Sequence, residues 1–171
     1  MNSSNRGNLV LIGMPGAGKS TIGVLTAKAL GMDFVDTDVI IQQAANRLLP
    51  EIIAEEGIEA FLDIEGDIIA SLELENTVAA TGGSAVLRPD ALKEIGRNGK
   101  IVYLSVPLYE VERRVTNIAD RGIAMSPDQS LREVFDERDP LYQSAADILV
   151  DCTNKDIEAI VHELAGIWHN T

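Results

Sequence analysis

Residues 13–20 read Gly-Met-Pro-Gly-Ala-Gly-Lys-Ser, directly after the apolar run Leu9-Val10-Leu11-Ile12 and directly before a helical stretch from Ser20 to Leu30. The string fits the P-loop pattern Gly-x-x-x-x-Gly-Lys-(Ser/Thr), and a strand before it with a helix after it is the context that pattern needs. Successive backbone N–H groups must wrap a polyphosphate, so side chains are excluded where the backbone approaches most closely, and the following helix adds its positive end. Gly16 and Gly18 meet that demand. Lys19 is then expected on the β and γ phosphates and the Ser20 hydroxyl on Mg²⁺. The nucleotide-binding segment runs from Gly13 through Gly16, Ala17, Gly18, Lys19 and Ser20 to Thr21.

Working outward, the 171 residues suit one domain, and 46% apolar residues suffice for a sizeable core. A formal net charge of −13 repels nucleic acid and anionic membranes. Yet Arg113, Arg114, Arg121, Arg132 and Arg138 gather in one region, where they can face a small anion such as a nucleotide phosphate. Cys152 is the single cysteine, so there is no internal disulfide, and a small buried side chain is its expected role. His162 and His169 read as ordinary residues of a final helix. The first eight residues lack the apolar core of a signal peptide, and no apolar stretch approaches membrane-spanning length. A cytoplasmic monomer without nucleic-acid or membrane partners is expected.

Short apolar runs alternate with longer amphipathic stretches. Leu9–Ile12, Phe34–Asp36, Thr77–Ala80, Ile101–Ser105 and Ile148–Val150 read as strands, with helices between them. This predicts an α/β fold of three layers, a five-stranded parallel sheet with helices on both faces. In such sheets ligands sit at the carboxyl ends of the strands, and the polar motifs fall there: the P-loop, Asp36-Thr37-Asp38 and Thr81-Gly82-Gly83-Ser84. Residues 39–75 are too long for one crossover and are broken at Leu49-Pro50, which predicts a helical flap of two or three helices. Residues 116–130, with Gly122 and Pro127, predict a mobile lid.

Asp36 and Asp38, two residues apart at a strand end, suit the two acids that phosphoryl transfer to an alcohol requires. Asp36 is expected to serve the metal and Asp38 to orient and deprotonate the hydroxyl. Capping of the next helix is the competing role for either. The Gly82-Gly83 turn offers bare backbone N–H groups to a substrate oxygen.

Together GMPGAGKST, FVDTD, EEGIEAFLDIE, VAATGGSAVL, IVYLSV, an arginine-bearing lid, DERDPLY and ADILVD resemble shikimate kinase, in the same order across nearly all of the chain. The resemblance implies a single P-loop kinase domain over 1–171, ATP and Mg²⁺ as cofactors, a small polyhydroxylated acceptor and a place in aromatic amino acid biosynthesis. It implies Lys19, Asp38 and Arg121 as catalytic residues, Ser20 and Asp36 at the metal, Arg114 on the adenine and Arg121 reaching the phosphates from the lid. Asp38, Gly82, Gly83, Ser84 and the position of Leu62 are then at the acceptor, with Arg138 on its carboxylate.

Three departures bear on the acceptor. The family's Phe-Arg-x-x-Glu is Phe61-Leu62-Asp63-Ile64-Glu65, its third glycine is Ser84, and the lid arginine is followed by Gly122-Ile123-Ala124. Loss of a charge-assisted hydrogen bond worth ~1.5–3 kcal/mol weakens a carboxylate by roughly 10–150 fold. With Glu65 left as a spare negative charge, shikimate is expected to be a poor substrate, and an acceptor with a neutral or cationic far end a better one. Whether Arg47 or Arg88 reaches in instead is open at this level. The alternatives are a gluconate- or nucleotide-kinase type of enzyme and a non-catalytic nucleotide-binding regulatory protein. A GTPase fits poorly, because Asp63-Ile64-Glu65-Gly66 lies inside a helical pattern and Thr153-Asn154-Lys155-Asp156 lacks the required spacing.

Overall fold

The computed structural model describes residues 7–116 and 121–170. Five strands, β1 (Asn8–Ile12), β2 (Asp33–Asp36), β3 (Thr77–Ala80), β4 (Gly99–Ser105) and β5 (Ile148–Asp151), form one parallel sheet in the order β2-β3-β1-β4-β5. All five residues of β1 and all four of β3 are buried, as befits central strands covered on both faces. The sequence reading began β1 and β2 one residue late and β4 two residues late, and ended β5 one residue early, because Asn8, Asp33, Gly99, Lys100 and Asp151 are not apolar. Asn8 belongs to the ladder through its pairing with Gly99, while its side chain donates to Leu74 O (2.8 Å) and accepts from Thr77 N–H (3.0 Å).

Helix α1 (Lys19–Leu30) follows β1 and ends on Gly31. The flap consists of α2 (Thr37–Ala45), α3 (Leu49–Glu56) and α4 (Ile58–Ser71). The expected interruption falls directly before Leu49-Pro50, between α2 and α3, and Pro50 itself lies in the first turn of α3, where a missing N–H costs nothing. Asp63 to Gly66 are helical, within α4. After β3 come a 3-10 turn (Ala85–Leu87) and α5 (Pro89–Ile95); α6 (Leu108–Arg114) follows β4. Helix α7 (Leu131–Ala145) opens on a capping box between Ser130 and Glu133, and α8 (Ile157–His169) ends the chain with both histidines.

The main core lies on the sheet and includes Cys152. A second cluster, Ile41, Leu49, Ile52, Phe61, Leu62 and Ala124, belongs to the flap and to the segment before α7. Of the lid expected over 116–130, residues 117–120 lie outside the described part; 121–130 are mostly irregular.

Candidate active site

A cavity of about 650 Å³ opens at the carboxyl ends of the strands, where loop and helix starts converge. Gly16, Gly18, Lys19, Ser20 and Thr21 form one wall; Asp38, Phe61 and Thr81 to Ser84 form another; Arg114, Arg121, Gly122 to Ala124 and Arg138 complete it. Twelve of the sixteen site positions expected from sequence line this single space. Gly13 and Ala17 lie beneath the loop, where the Ala17 N–H donates to Met14 O (3.1 Å). Asp36 sits just behind the wall.

Lys19 begins α1 and is buried. Its ammonium donates to Gly13 O (2.7 Å) and Met14 O (2.8 Å), folding back on its own loop. Burial pulls its pKa down to about 8, against the charges of Asp38 and Asp36. The Ser20 hydroxyl is exposed and donates to Asp36 Oδ2. Asp36 Oδ1 meanwhile accepts from the Asp38 N–H at 3.0 Å and caps α2. Capping and metal service are therefore compatible, one oxygen for each. Ser20 and Asp36 supply the hard oxygen donors that Mg²⁺ prefers, and among the described residues there is no cluster of three or more metal-binding His, Cys, Asp or Glu to provide a full protein cage. That combination fits an ion held mainly by water and phosphate oxygens.

Asp38, in the first turn of α2, has its pKa raised to about 6, first by burial and then by Asp36, with Lys19 opposing. Across from it the turn after β3 is pinned by two bonds. Thr81 Oγ1 donates to Leu11 O (2.9 Å), and the Tyr142 hydroxyl donates to Gly83 O. Gly82 is required by close approach: a Cβ there would lie 2.7 Å from Asp38 Oδ1 and 2.8 Å from Glu65 Oε1. Tyr142, Thr81 and Phe61 are neighbours of the site that received no role from sequence, and Glu65 was read there only as a spare charge. Tyr142 was in view within DERDPLY, but nothing in the string says that its hydroxyl crosses to Gly83.

Glu65 is 0% exposed and forms no ion pair among the described residues, but it is not without a donor. Its Oε2 accepts from the Ser84 hydroxyl at 2.7 Å. Burial raises its pKa to about 7; the Ser84 bond lowers it, Asp38 raises it, and Arg138 and Arg88 lower it. Its Oε1 has no partner among the described residues. Leu62, 3% exposed, packs with Ile41, Ile52 and Phe61 and does not reach the cavity wall, which α4 supplies through Phe61. Neither candidate arginine replaces it. Arg47 pairs with Glu55 (2.8 Å) and Glu56, and Arg88 with Asp63 (2.8 Å) and Glu59 (3.3 Å).

Arg114, at the end of α6, donates to Gly16 O (3.3 Å) and pairs with Glu110 (3.4 Å). Arg138, on α7, is 2% exposed. One of its terminal nitrogens donates to Ala124 O, while Nε and Nη1 have no partner among the described residues. A buried guanidinium with donors to spare beside a cavity is prepared for an anion.

A shikimate kinase family model matches residues 15–167. The shikimate kinase of Nitrosomonas europaea is 36% identical over 161 residues, which cover 92% of this chain and 76% of that one. The shikimate kinase of Francisella philomiragia is 36% identical over 162 residues, 92% of each. Among solved structures, shikimate kinase from Acinetobacter baumannii in complex with shikimate superposes with a TM-score of 0.83 at 30% identity, covering 97% of this chain and 95% of that one. The Aquifex aeolicus enzyme gives 0.80 at 27%, covering 95% and 96%. A P-loop kinase fold, a cavity that joins the phosphate loop to Asp38 and Arg138, and a match across the whole domain agree: the chain belongs to the shikimate kinase family, phosphotransferases that use ATP and Mg²⁺ to phosphorylate a hydroxyl group.

Proposed function

We propose that this chain transfers the γ-phosphoryl group of ATP to a hydroxyl of shikimate and that Arg138 holds the acceptor's carboxylate. The observation that carries this reading is the pair of unpartnered guanidinium donors on Arg138, buried yet on the same cavity as Asp38 and Lys19. The expectation of a neutral or cationic far end rested on a spare charge at Glu65. Burial raises the Glu65 pKa to about 7, toward the neutral form, and Ser84 meets one of its oxygens, so that argument loses its force.

Lys19 exchanges the two P-loop carbonyls for phosphate oxygens and neutralises charge as it builds in transfer. Ser20 and Asp36 would hold Mg²⁺, which when bound would supply positive charge to offset that of the phosphates. Asp38 orients the acceptor hydroxyl and takes its proton, with a pKa near working pH well suited to a base. Gly82, Gly83 and Ser84 present the turn against which the acceptor rests. Arg114 stacks on the adenine. Residues 39–75 act as the substrate flap and 116–130 as a lid that carries Arg121 onto the phosphates and excludes water. We read the enzyme as a cytoplasmic monomer; its net charge of −13 argues against a nucleic-acid partner, and among the described residues no helix is long and apolar enough to cross a membrane.

The test is steady-state kinetics with shikimate and Mg·ATP. A kcat/KM within the enzyme range of ~10⁴–10⁸ M⁻¹s⁻¹, abolished by Lys19→Ala in a folded protein, supports the assignment. Turnover of ATP with neutral polyols but not with shikimate refutes it.

A further inference from the structure

The carboxylate of Glu65 is fully buried and pairs with no cation among the described residues: the arginines whose charges act on it, Arg138 and Arg88, donate to Ala124 O and to Asp63 and Glu59. Its one hydrogen bond among the described residues comes from Ser84, whose hydroxyl donates to Oε2 at 2.7 Å. Ser84 lines the cavity while Glu65 lies behind it. The other oxygen, Oε1, meets no donor and lies with Asp38 Oδ1 against the same face of Gly82, each within 2.8 Å of where a Cβ would stand. A buried carboxylate oxygen without a donor is unfavourable until something supplies one.

We infer that Ser84 is a positioning residue for the acceptor: its hydroxyl fixes the Glu65 carboxylate so that Oε1 accepts a hydrogen bond from a second hydroxyl of the acceptor, beside the one that Asp38 takes. This rests on the acceptor being seated at the Gly82 turn, as proposed above. Leu62, one helical turn before Glu65 and packed into the flap, contributes nothing to holding that carboxylate, so the serine alone does so.

The experiment is a double-mutant cycle with Ser84→Ala and Glu65→Gln, reading KM for shikimate and for ATP separately from kcat. Ser84→Ala is expected to raise the shikimate KM about tenfold, the effect of one hydrogen bond to a charged group, and to leave the ATP KM within about twofold. The double variant should be no worse than Glu65→Gln, because the serine works through the glutamate. Additive losses, or an unchanged shikimate KM in Ser84→Ala, overturn the inference. The Glu65 carboxyl, followed by carbon NMR in the unliganded protein, gives a readout independent of turnover. The groups that act on it are Asp38 on α2, Lys19 on α1, Arg138 and Tyr142 on α7 and Arg88 before α5, and none is altered. The Ser84 bond favours the charged form, so its removal should move the midpoint upward. An unmoved midpoint refutes the pairing even if shikimate is a good substrate. A moved midpoint in a protein that ignores shikimate sustains the pairing and refutes the acceptor.

Discussion

Replacing Arg138 by methionine separates binding from stability. The substitution keeps an unbranched stem and removes the guanidinium. Nε and Nη1 have no protein acceptor and are assigned to the acceptor carboxylate; a bidentate charge-assisted contact of that kind carries about 3 kcal/mol, the upper end for hydrogen bonds to charged groups. Shikimate KM should therefore rise roughly 150-fold, at about tenfold per 1.4 kcal/mol. Stability should move little or in the opposite direction. The variant loses the bond to Ala124 O, worth about 1 kcal/mol, and sheds a buried charge with two unmet donors, each costing ~1–3 kcal/mol when nothing is bound. A coupled assay of ADP release over shikimate concentration, with calorimetric melting of the unliganded protein, measures both. An unchanged Tm or a rise of a few degrees is expected with the loss of binding. A shikimate KM within threefold of the parent, together with a falling Tm, would show that Arg138 is a structural residue and that the carboxylate sits elsewhere.

Asp38→Asn should lower kcat by ~10²-fold or more while nucleotide affinity measured by titration stays nearly constant; collapse of ATP binding would exchange its role with that of Asp36. Leu62→Arg places a cation one turn from Glu65 and should lower shikimate KM about tenfold at some cost in stability, because position 62 is buried among Ile41, Ile52 and Phe61. An unchanged KM in a folded variant means that this position does not reach the acceptor. Glu65 is raised from 4.5 to about 7 and Asp38 from 3.8 to about 6, so the folded protein holds these protons more tightly than the unfolded chain does. Their contribution to stability is largest at acid pH and falls as pH rises from about 4 through 7. Urea unfolding across that range should show a shallower fall in Glu65→Gln, and a slope unaltered by that change would count against a buried acid there.

The sheet was legible because β1 and β3 are buried on both faces and therefore read as unbroken apolar runs, and because each strand ends in a polar motif. Strand starts were less so: Asn8 and Lys100 look like loop residues, and only their ladder partners make them strand. The phosphate side of the site came through well, since a P-loop works through backbone and is written in adjacent residues. The acceptor side did not. Ser84 and Glu65 are 19 positions apart, Tyr142 and Gly83 are 59 apart, and each pair meets only because α4 and α7 pack against the turn after β3. The same limit made Glu65 look like a charge without a partner, and made Arg47 and Arg88 look available when surface carboxylates already hold them.

Gly122 follows Arg121 with φ +62°, and a side chain there would press to 2.5 Å of Leu49 Cβ and 3.1 Å of Pro50 Cδ. Two residues on, Ala124 is buried in the flap's own cluster with Phe61 and Leu62, and its carbonyl receives Arg138. The segment that carries Arg121 on the cavity wall thus shares a seam with α3 and α4. Thermodynamic linkage follows: if nucleotide tightens that seam and thereby raises acceptor affinity by some factor, acceptor must raise nucleotide affinity by the same factor. Leucine at position 62 lies inside the seam, so a substitution there is expected to change the affinity for nucleotide as well as for acceptor.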